Sequence, residues 1–127
     1  MKAVSIGRLG EDAAVAYLRQ QGYEIAARNY RTRQGEIDIV AKEGGCLCFV
    51  EVKTRKNDRF GLACEAVDVR KQARLIGAAE HYLAYHSTEA AVRFDIVEVY
   101  GQVRQSGFVV REIRLIRNAF DASGKEG

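Results

Sequence analysis

Three side chains close together in the chain could do hydrolytic chemistry: Asp38, Glu51 and Lys53. They stand on two runs with strand character, Glu36 to Glu43 and Cys46 to Arg55. Gly44-Gly45 joins them as a two-residue hairpin signal. Such a loop pairs Glu43 with Cys46, and counting outward puts Asp38 opposite Glu51 and Glu36 opposite Lys53. Strand side chains alternate with period two, so all four share a face. Directly opposite Cβ atoms lie about 4.5–5.5 Å apart. Two carboxylates that close repel unless a cation lies between them, and a hard divalent ion fits, magnesium first and manganese as a substitute. Lys53 is about 6.5–7 Å along the strand from Glu51, placed to orient an attacking water or hold developing negative charge. This set suits hydrolysis of a phosphodiester. A loop one residue longer or shorter would send the two acids to opposite faces. The plainer reading is a solvated cross-strand ion pair, Glu36 with Lys53. The apolar character of the rest of the Cys46 run weighs against it, since charges inside a buried strand are costly unless used or paired.

The elements that must position this ribbon are legible on either side. Ile6 to Gln21 reads as a helix, with Ile6, Leu9, Ala13, Ala16 and Tyr17 at helical spacing and Gly22 as its C-terminal cap. Tyr23 to Tyr30 reads as a short strand and Thr32 to Gly35 as a turn. Within Glu36 to Glu43, alternation puts Ile37, Ile39 and Ala41 on one face and Glu36, Asp38 and Val40 on the other. After a polar loop from Lys56 to Gly61, a longer helix runs from near Asp68 to His86, with Leu75, Ile76, Ala79, Tyr82 and Leu83 as its apolar stripe. Ala91 to Tyr100 and Phe108 to Ile116 are two further strands. The order α-β-β-β-α-β-β predicts an α/β fold, a central mixed five-stranded sheet flanked by helices.

The chain has 127 residues, 47% hydrophobic and 29% charged, which predicts one domain over 1–127 with its own core, ending in a loose tail from about 121. No apolar run approaches the ~20 residues of a membrane span. No apolar segment follows the first residues, so a secretory signal is not expected. Cys46, Cys48 and Cys64 form no even-numbered framework and no Cys-x-x-Cys pair, which points to free thiols in a reducing, cytoplasmic setting. Cys46 and Cys48 are expected in the core, on the face opposite Glu51. His81 and His86, five apart on the second helix, fall on different faces, and no zinc site is expected. Twenty Lys+Arg against seventeen Asp+Glu give a net charge of +3, compatible with a polyanionic partner. Three basic groups flank the acids: Arg28, Arg31 and Arg33; Lys53, Arg55, Lys56 and Arg59; Arg70, Lys71 and Arg74. If they converge, the acids sit in a groove suited to a phosphate backbone, with Arg31, Arg33, Arg55, Lys56 and Lys71 as its contacts. The alternative is ordinary surface cations. Gln72, Arg93 and Asp95 are open between support of a site and plain structure.

The strings Gly35-Glu36-Ile37-Asp38-Ile39-Val40-Ala41 and Phe49-Val50-Glu51-Val52-Lys53-Thr54-Arg55 carry a family likeness. It continues in Gly7-x-x-Gly10-Glu11-x-x-Ala14-x-x-Tyr17-Leu18, Arg28-Asn29-Tyr30-Arg31, Glu65-Ala66-Val67, Lys71-Gln72, Arg93-Phe94-Asp95 and Asn118-Ala119-Phe120. Taken together, and in this order, they resemble the YraN family of predicted endonucleases, thought to be distantly related to archaeal Holliday-junction resolvases. The resemblance implies a restriction-endonuclease-like fold with a D…(D/E)-x-K site: Asp38, Glu51 and Lys53, with the Val52 carbonyl as a further metal ligand. It also implies that Glu11, on the first helix, assists the metal through water. From periodicity alone Glu11 and Asp12 are equivalent acids at a helix start. One departure is the lack of proline near Val67 to Arg70, which touches no site residue. The implied activity is magnesium- or manganese-dependent hydrolysis of DNA, including branched or damaged DNA, with a homodimer as the assembly. Two other readings stand beside it: a non-catalytic nucleic-acid binding module that keeps the fold and the acids, and a protein-interaction scaffold.

Overall fold

Ser5 starts the first helix, its hydroxyl accepting the Arg8 N–H at 3.2 Å. In the computed structural model, which describes residues 5–56 and 69–121, the elements are α1 (Ile6–Gln20), β1 (Glu24–Arg31), β2 (Glu36–Glu43), β3 (Cys46–Arg55), α2 (Val69–Tyr85), β4 (Ala91–Arg104) and β5 (Gly107–Phe120). The strands form one sheet in the order β1-β2-β3-β4-β5. All neighbours are antiparallel except β3 and β4, which are parallel. A parallel neighbour needs a crossover, and α2 lies in the connection. The expected element order therefore holds. Lys56 to Gly61 beyond its first residue, Arg59, Cys64, Glu65 to Val67, the Asp68 helix start and the tail after 121 lie outside the described residues. β4 and β5 run further than their apolar patterns predict. They pair with each other down to Arg104–Gly107, so hydrogen bonding to a partner strand extends both through polar sequence.

Each face of the sheet buries its own core. On one, Ala14, Val15 and Leu18 of α1 cover Ile39, Ala41, Cys48, Val50, Val97 and Val99. On the other, Leu75, Ala78, Ala79 and Tyr82 of α2 cover Ile37, Val40, Leu47, Phe49, Phe94 and Ile96. Each large apolar side chain so buried contributes about 1.5–3 kcal/mol. Cys48 lies in the α1-side core with Cys46 against it, both as free thiols, as their positions predict. Burial pushes the Cys48 thiol up to about 12.

Two expectations about faces are overturned, and both corrections bear on the site. α1 does not bury the expected stripe of Ile6, Leu9, Ala13, Ala16 and Tyr17; Ile6 is 38% exposed, and the buried positions are Gly10, Glu11, Ala14, Val15 and Leu18. Small residues set this face because the helix comes close to β3. A Cβ at Gly10 would collide with the Thr54 side chain. In β2, Ile37 does not share a face with Ile39 and Ala41. It packs on the α2 side with Val40, three residues on, so the alternation slips at Asp38. β1 slips at the facing position. Arg28 pairs with Ile39 and Tyr30 with Ile37, while Asn29 between them has φ 53°. This paired kink aims the side chains of the next section.

Candidate functional site

The glycine doublet makes the turn that the sequence predicts, with Gly44 at φ +57° and Glu43 paired with Cys46. The β2–β3 ladder keeps that register as far as Ile39–Val50. There the strands part. Asp38 Oδ2 accepts the Val52 N–H at 2.8 Å, taking a backbone donor next to where the ladder ends. The expected Glu36–Lys53 pair does not form, because the strands separate before reaching it. Glu36 instead meets Arg31 Nε at 3.3 Å, and Lys53 Nζ lies 3.4 Å from Glu51 Oε1.

Asp38, Glu51 and Lys53 thus gather at the open end of the sheet. Burial, and next the charge of Glu51, push the Asp38 carboxyl up to about 7. Lys53, only 9% exposed, is held below the ordinary lysine range by burial and by Lys71 of α2 beside it, with Glu51 pulling the other way. An acid and an amine are therefore both displaced toward their neutral forms. A cleft of about 830 Å³ opens over them, lined by Glu11, Asp38, Val52, Lys53, Arg55 and Lys71 among others. Glu51 lines an adjoining hollow with Glu36, Lys71 and Arg74.

The structure separates Glu11 from Asp12. With Ala14, Val15 and Leu18 on the sheet, helical spacing turns Glu11 inward, and it lines the cleft at 8% exposure. Its Oε1 accepts Arg28 Nε at 3.1 Å, Arg28 Nη2 at 3.0 Å and Asn29 Nδ2 at 3.0 Å. Asp12 is exposed and takes Arg28 Nη2 at 2.6 Å. Consecutive strand residues normally point to opposite faces. The left-handed backbone at Asn29 lets Arg28 and Asn29 grip one carboxylate together. These two positioning residues escape a sequence reading that treats Arg28 as one of a run of cations. An asparagine within a strand pattern is the available signal, since it tolerates that backbone.

The basic groups converge in part. Arg31, Arg55 and Lys71 line the cleft. Arg33 is exposed on the β1–β2 turn and does not line it, and Lys56 lines a separate groove. Arg28 and Arg31 are engaged by acids rather than free for phosphate. The two histidines do not diverge as helical spacing predicts. Tyr30 Oη is 2.7 Å from His81 Nδ1, and the His86 ring centroid is 6.3 Å from that of Tyr30. His86 follows the end of α2, so the helical period no longer governs it.

Arg93 and Asp95 belong to a different cluster, at the opposite end of β3. Arg93 Nε and Nη2 both donate to Asp95 at 2.9 Å, and Arg93 Nη2 reaches Glu43 Oε1 at 2.7 Å. Tyr23 Oη and the Asn118 N–H also donate to Asp95, at 2.8 and 2.9 Å. Arg117 closes the cluster on Glu43 Oε2 at 2.6 Å. These residues tie Tyr23, just before β1, to β2, β4 and β5.

Among the described residues, no three His, Cys, Asp or Glu side chains stand together as a metal cage. The donors present suit a hard ion that keeps much of its water shell. Two repelling carboxylates offer oxygen ligands, and Val52 lines the cleft beside Asp38. Among the described residues no helix is long and apolar enough to cross a membrane.

Comparison with known proteins places this geometry in a lineage. Residues 10–99 match the uncharacterised protein family UPF0102. A UPF0102 protein of Caldicellulosiruptor bescii is 44% identical over 122 residues, covering 94% of this chain and 100% of the relative. One of Symbiobacterium thermophilum is 48% identical over 122 residues, covering 92% and 97%. One of Desulforapulum autotrophicum is 49% identical over 116 residues, covering 91% and 92%.

Proposed function

The chain belongs to the uncharacterised protein family UPF0102, and from that premise, which names no activity, we propose that it is a metal-dependent nuclease hydrolysing phosphodiester bonds of DNA, branched or damaged DNA included. The observation that carries the reading is the raised Asp38 carboxyl facing Glu51 at the floor of a cleft rimmed by cations. Such an excess of negative charge suits a divalent cation more than it suits a fold that needs only stability. Magnesium or manganese held by Asp38 and Glu51, with the Val52 carbonyl, would supply a polarised phosphate and a more acidic water.

The chain's own groups do the rest. Lys53, kept near Glu51 and out of bulk water, holds the negative charge that grows on the phosphate oxygens. Glu11, fixed through Oε1 by Arg28 and Asn29, accepts a hydrogen bond from water entering the cleft. Arg55 and Lys71 bind flanking phosphates, and Arg33 and Lys56 extend that contact outward. Free thiols at Cys46 and Cys48 agree with a cytoplasmic setting. A homodimer would present two such clefts to two strands.

The test is cleavage of supercoiled plasmid and of a branched duplex with magnesium or manganese. Asp38→Ala, Glu51→Ala and Lys53→Ala are each expected to lower the rate by about 10²–10³ while circular dichroism stays unchanged. Unchanged cleavage in all three variants would overturn the assignment. Salt-sensitive DNA binding by the wild type without cleavage would leave the non-catalytic binding module in its place.

A further inference from the structure

β3 ends at Arg55, whose register partner on β4 is Tyr100. β4 and β5 go on pairing to Arg104–Gly107, so their last residues form a two-stranded ribbon reaching past β3 by about 13 Å. A bulge at Tyr100/Gly101 starts the ribbon. A Cβ at Gly101 would sit 2.6 Å from the Val109 carbonyl oxygen, so the close crossing there requires glycine.

The ribbon's chemistry is one-sided. From Gly101 to Arg111 there is no acidic residue. Lys56, Arg104 and Arg111 line a groove of about 260 Å³ with Gly101, Gln102 and Val109. Arg111 is set in place by donating to the Lys56 carbonyl at 3.2 Å and by lying 5.6 Å over the Tyr100 ring. Five of the arginines elsewhere, Arg28, Arg31, Arg93, Arg114 and Arg117, sit on carboxylates. Among the described residues Arg55, Lys56, Arg104 and Arg111 have none. Charged edges also deter stray strand pairing. A ribbon serving only that end would not expose Val103, Val109 and Val110, which are 60%, 45% and 39% exposed. Arg55 lines the cleft, and the next residue along the chain, Lys56, lines the groove.

We infer that the β4–β5 ribbon is a second nucleic-acid contact, taking the backbone of a duplex arm that leaves the cleft at Arg55 and runs over Lys56, Arg111 and Arg104. The inference rests on reading the cleft as a phosphodiester site, and it narrows the substrate. At about 3.4 Å per base pair, the preferred substrate has a duplex extending about four base pairs or more beyond the scissile phosphate.

The experiment pairs a binding assay with a chemical one. A labelled 24-base-pair duplex (~24 is ample to span cleft and ribbon) is titrated with the full chain in EDTA across a salt series. Arg104→Ala/Arg111→Ala is expected to weaken binding about tenfold at ~50 mM salt and to lower the log–log salt slope by about two. Arg104→Lys/Arg111→Lys should retain the slope. Hydrolysis of bis(p-nitrophenyl) phosphate with manganese, a substrate too small to reach the ribbon, should match wild type in both variants. Wild-type affinity and slope in the alanine variant would overturn the inference, as would an equal loss in the lysine variant or a wild type that binds no duplex. If the wild type hydrolyses nothing yet binds duplex through the ribbon, the nuclease reading fails and the ribbon contact stands.

Discussion

Two charged clusters sit at opposite ends of β3, built from the same residue types with opposite electrostatic outcomes. At the Cys48 end, Asp95 is wholly buried, yet four donors reach it. Glu43 beside it is held down at about 2 by Arg117, with Arg93 adding to the effect. Arg93 and Arg117 are pushed up, by hydrogen bonds to Asp95 and Glu43 respectively. These three displacements, at Glu43, Arg93 and Arg117, each drive a group deeper into its charged form. At the Lys53 end the displacements run the other way: Asp38 rises to about 7 and Lys53 falls. One cluster is complete and stabilises the sheet. The other leaves Asp38 buried against Glu51 and Lys53 beside Lys71, so its charges are incompletely matched, a pattern that clusters at functional sites.

The contrast breaks most readily at Asp95. Asp95→Ala removes the buried acceptor of Arg93 Nε, the Tyr23 hydroxyl and the Asn118 N–H, leaving Arg93 with Glu43, and urea unfolding should show a loss of about 3–5 kcal/mol. A loss of similar size in Asp38→Asn would erase the difference between the two ends. The expected result for Asp38→Asn is a gain of about 2 kcal/mol at pH 8, because the amide keeps the Val52 hydrogen bond and removes a charge disfavoured by burial and by Glu51. Cleavage should fall by about 10² in the same variant, so stability and activity separate.

The pH dependence sharpens the comparison, since the two acids act with opposite sign. Asp38 is raised, so its contribution is present below its ordinary value of 3.8 and is lost as pH rises through about 7. Glu43 is lowered, so its contribution is present above 4.5 and is lost as pH falls through about 2. Thermal melts should show Asp38→Asn flattening the neutral limb of the stability curve and Glu43→Gln flattening the acid limb, by roughly 2 kcal/mol each. Interchanged limbs would refute the assignment of sign. The smallest effect is expected at Asn29. Asn29→Gly keeps the left-handed backbone but removes a donor to Glu11, and cleavage should drop about tenfold with stability nearly unchanged. Asn29→Ala should lose the same activity and about 1–2 kcal/mol as well. Equal activity in wild type and both variants would remove Asn29 from the positioning of Glu11.

Much of this arrangement is written in local sequence. Gly44-Gly45 fixes a two-residue turn, and the turn fixes the register that brings Asp38 next to Glu51 and Val52. The apolar period of α2 and the order of the elements follow from patterns that neighbouring residues set by themselves, whereas the strand order with its one parallel pair is a tertiary outcome. What local pattern cannot supply is the distance at which elements pack. The face of α1 is chosen by how closely Gly10 approaches Thr54, and that choice turns Glu11 inward and leaves Asp12 outside. The slip of alternation at Asn29 and Asp38 requires two strands to kink together, which neither sequence encodes alone. The electrostatic character of the Asp95 cluster is likewise tertiary. The hairpin alone sets Asp38 against Glu51, but that Asp95 ends among donors depends on Tyr23 and Asn118 arriving from distant segments. Residue types and turn length were enough to name the acids and the lysine. Only packing in three dimensions decided which charges were matched, because solvation and Coulomb energies depend on burial and separation in space rather than on position along the chain.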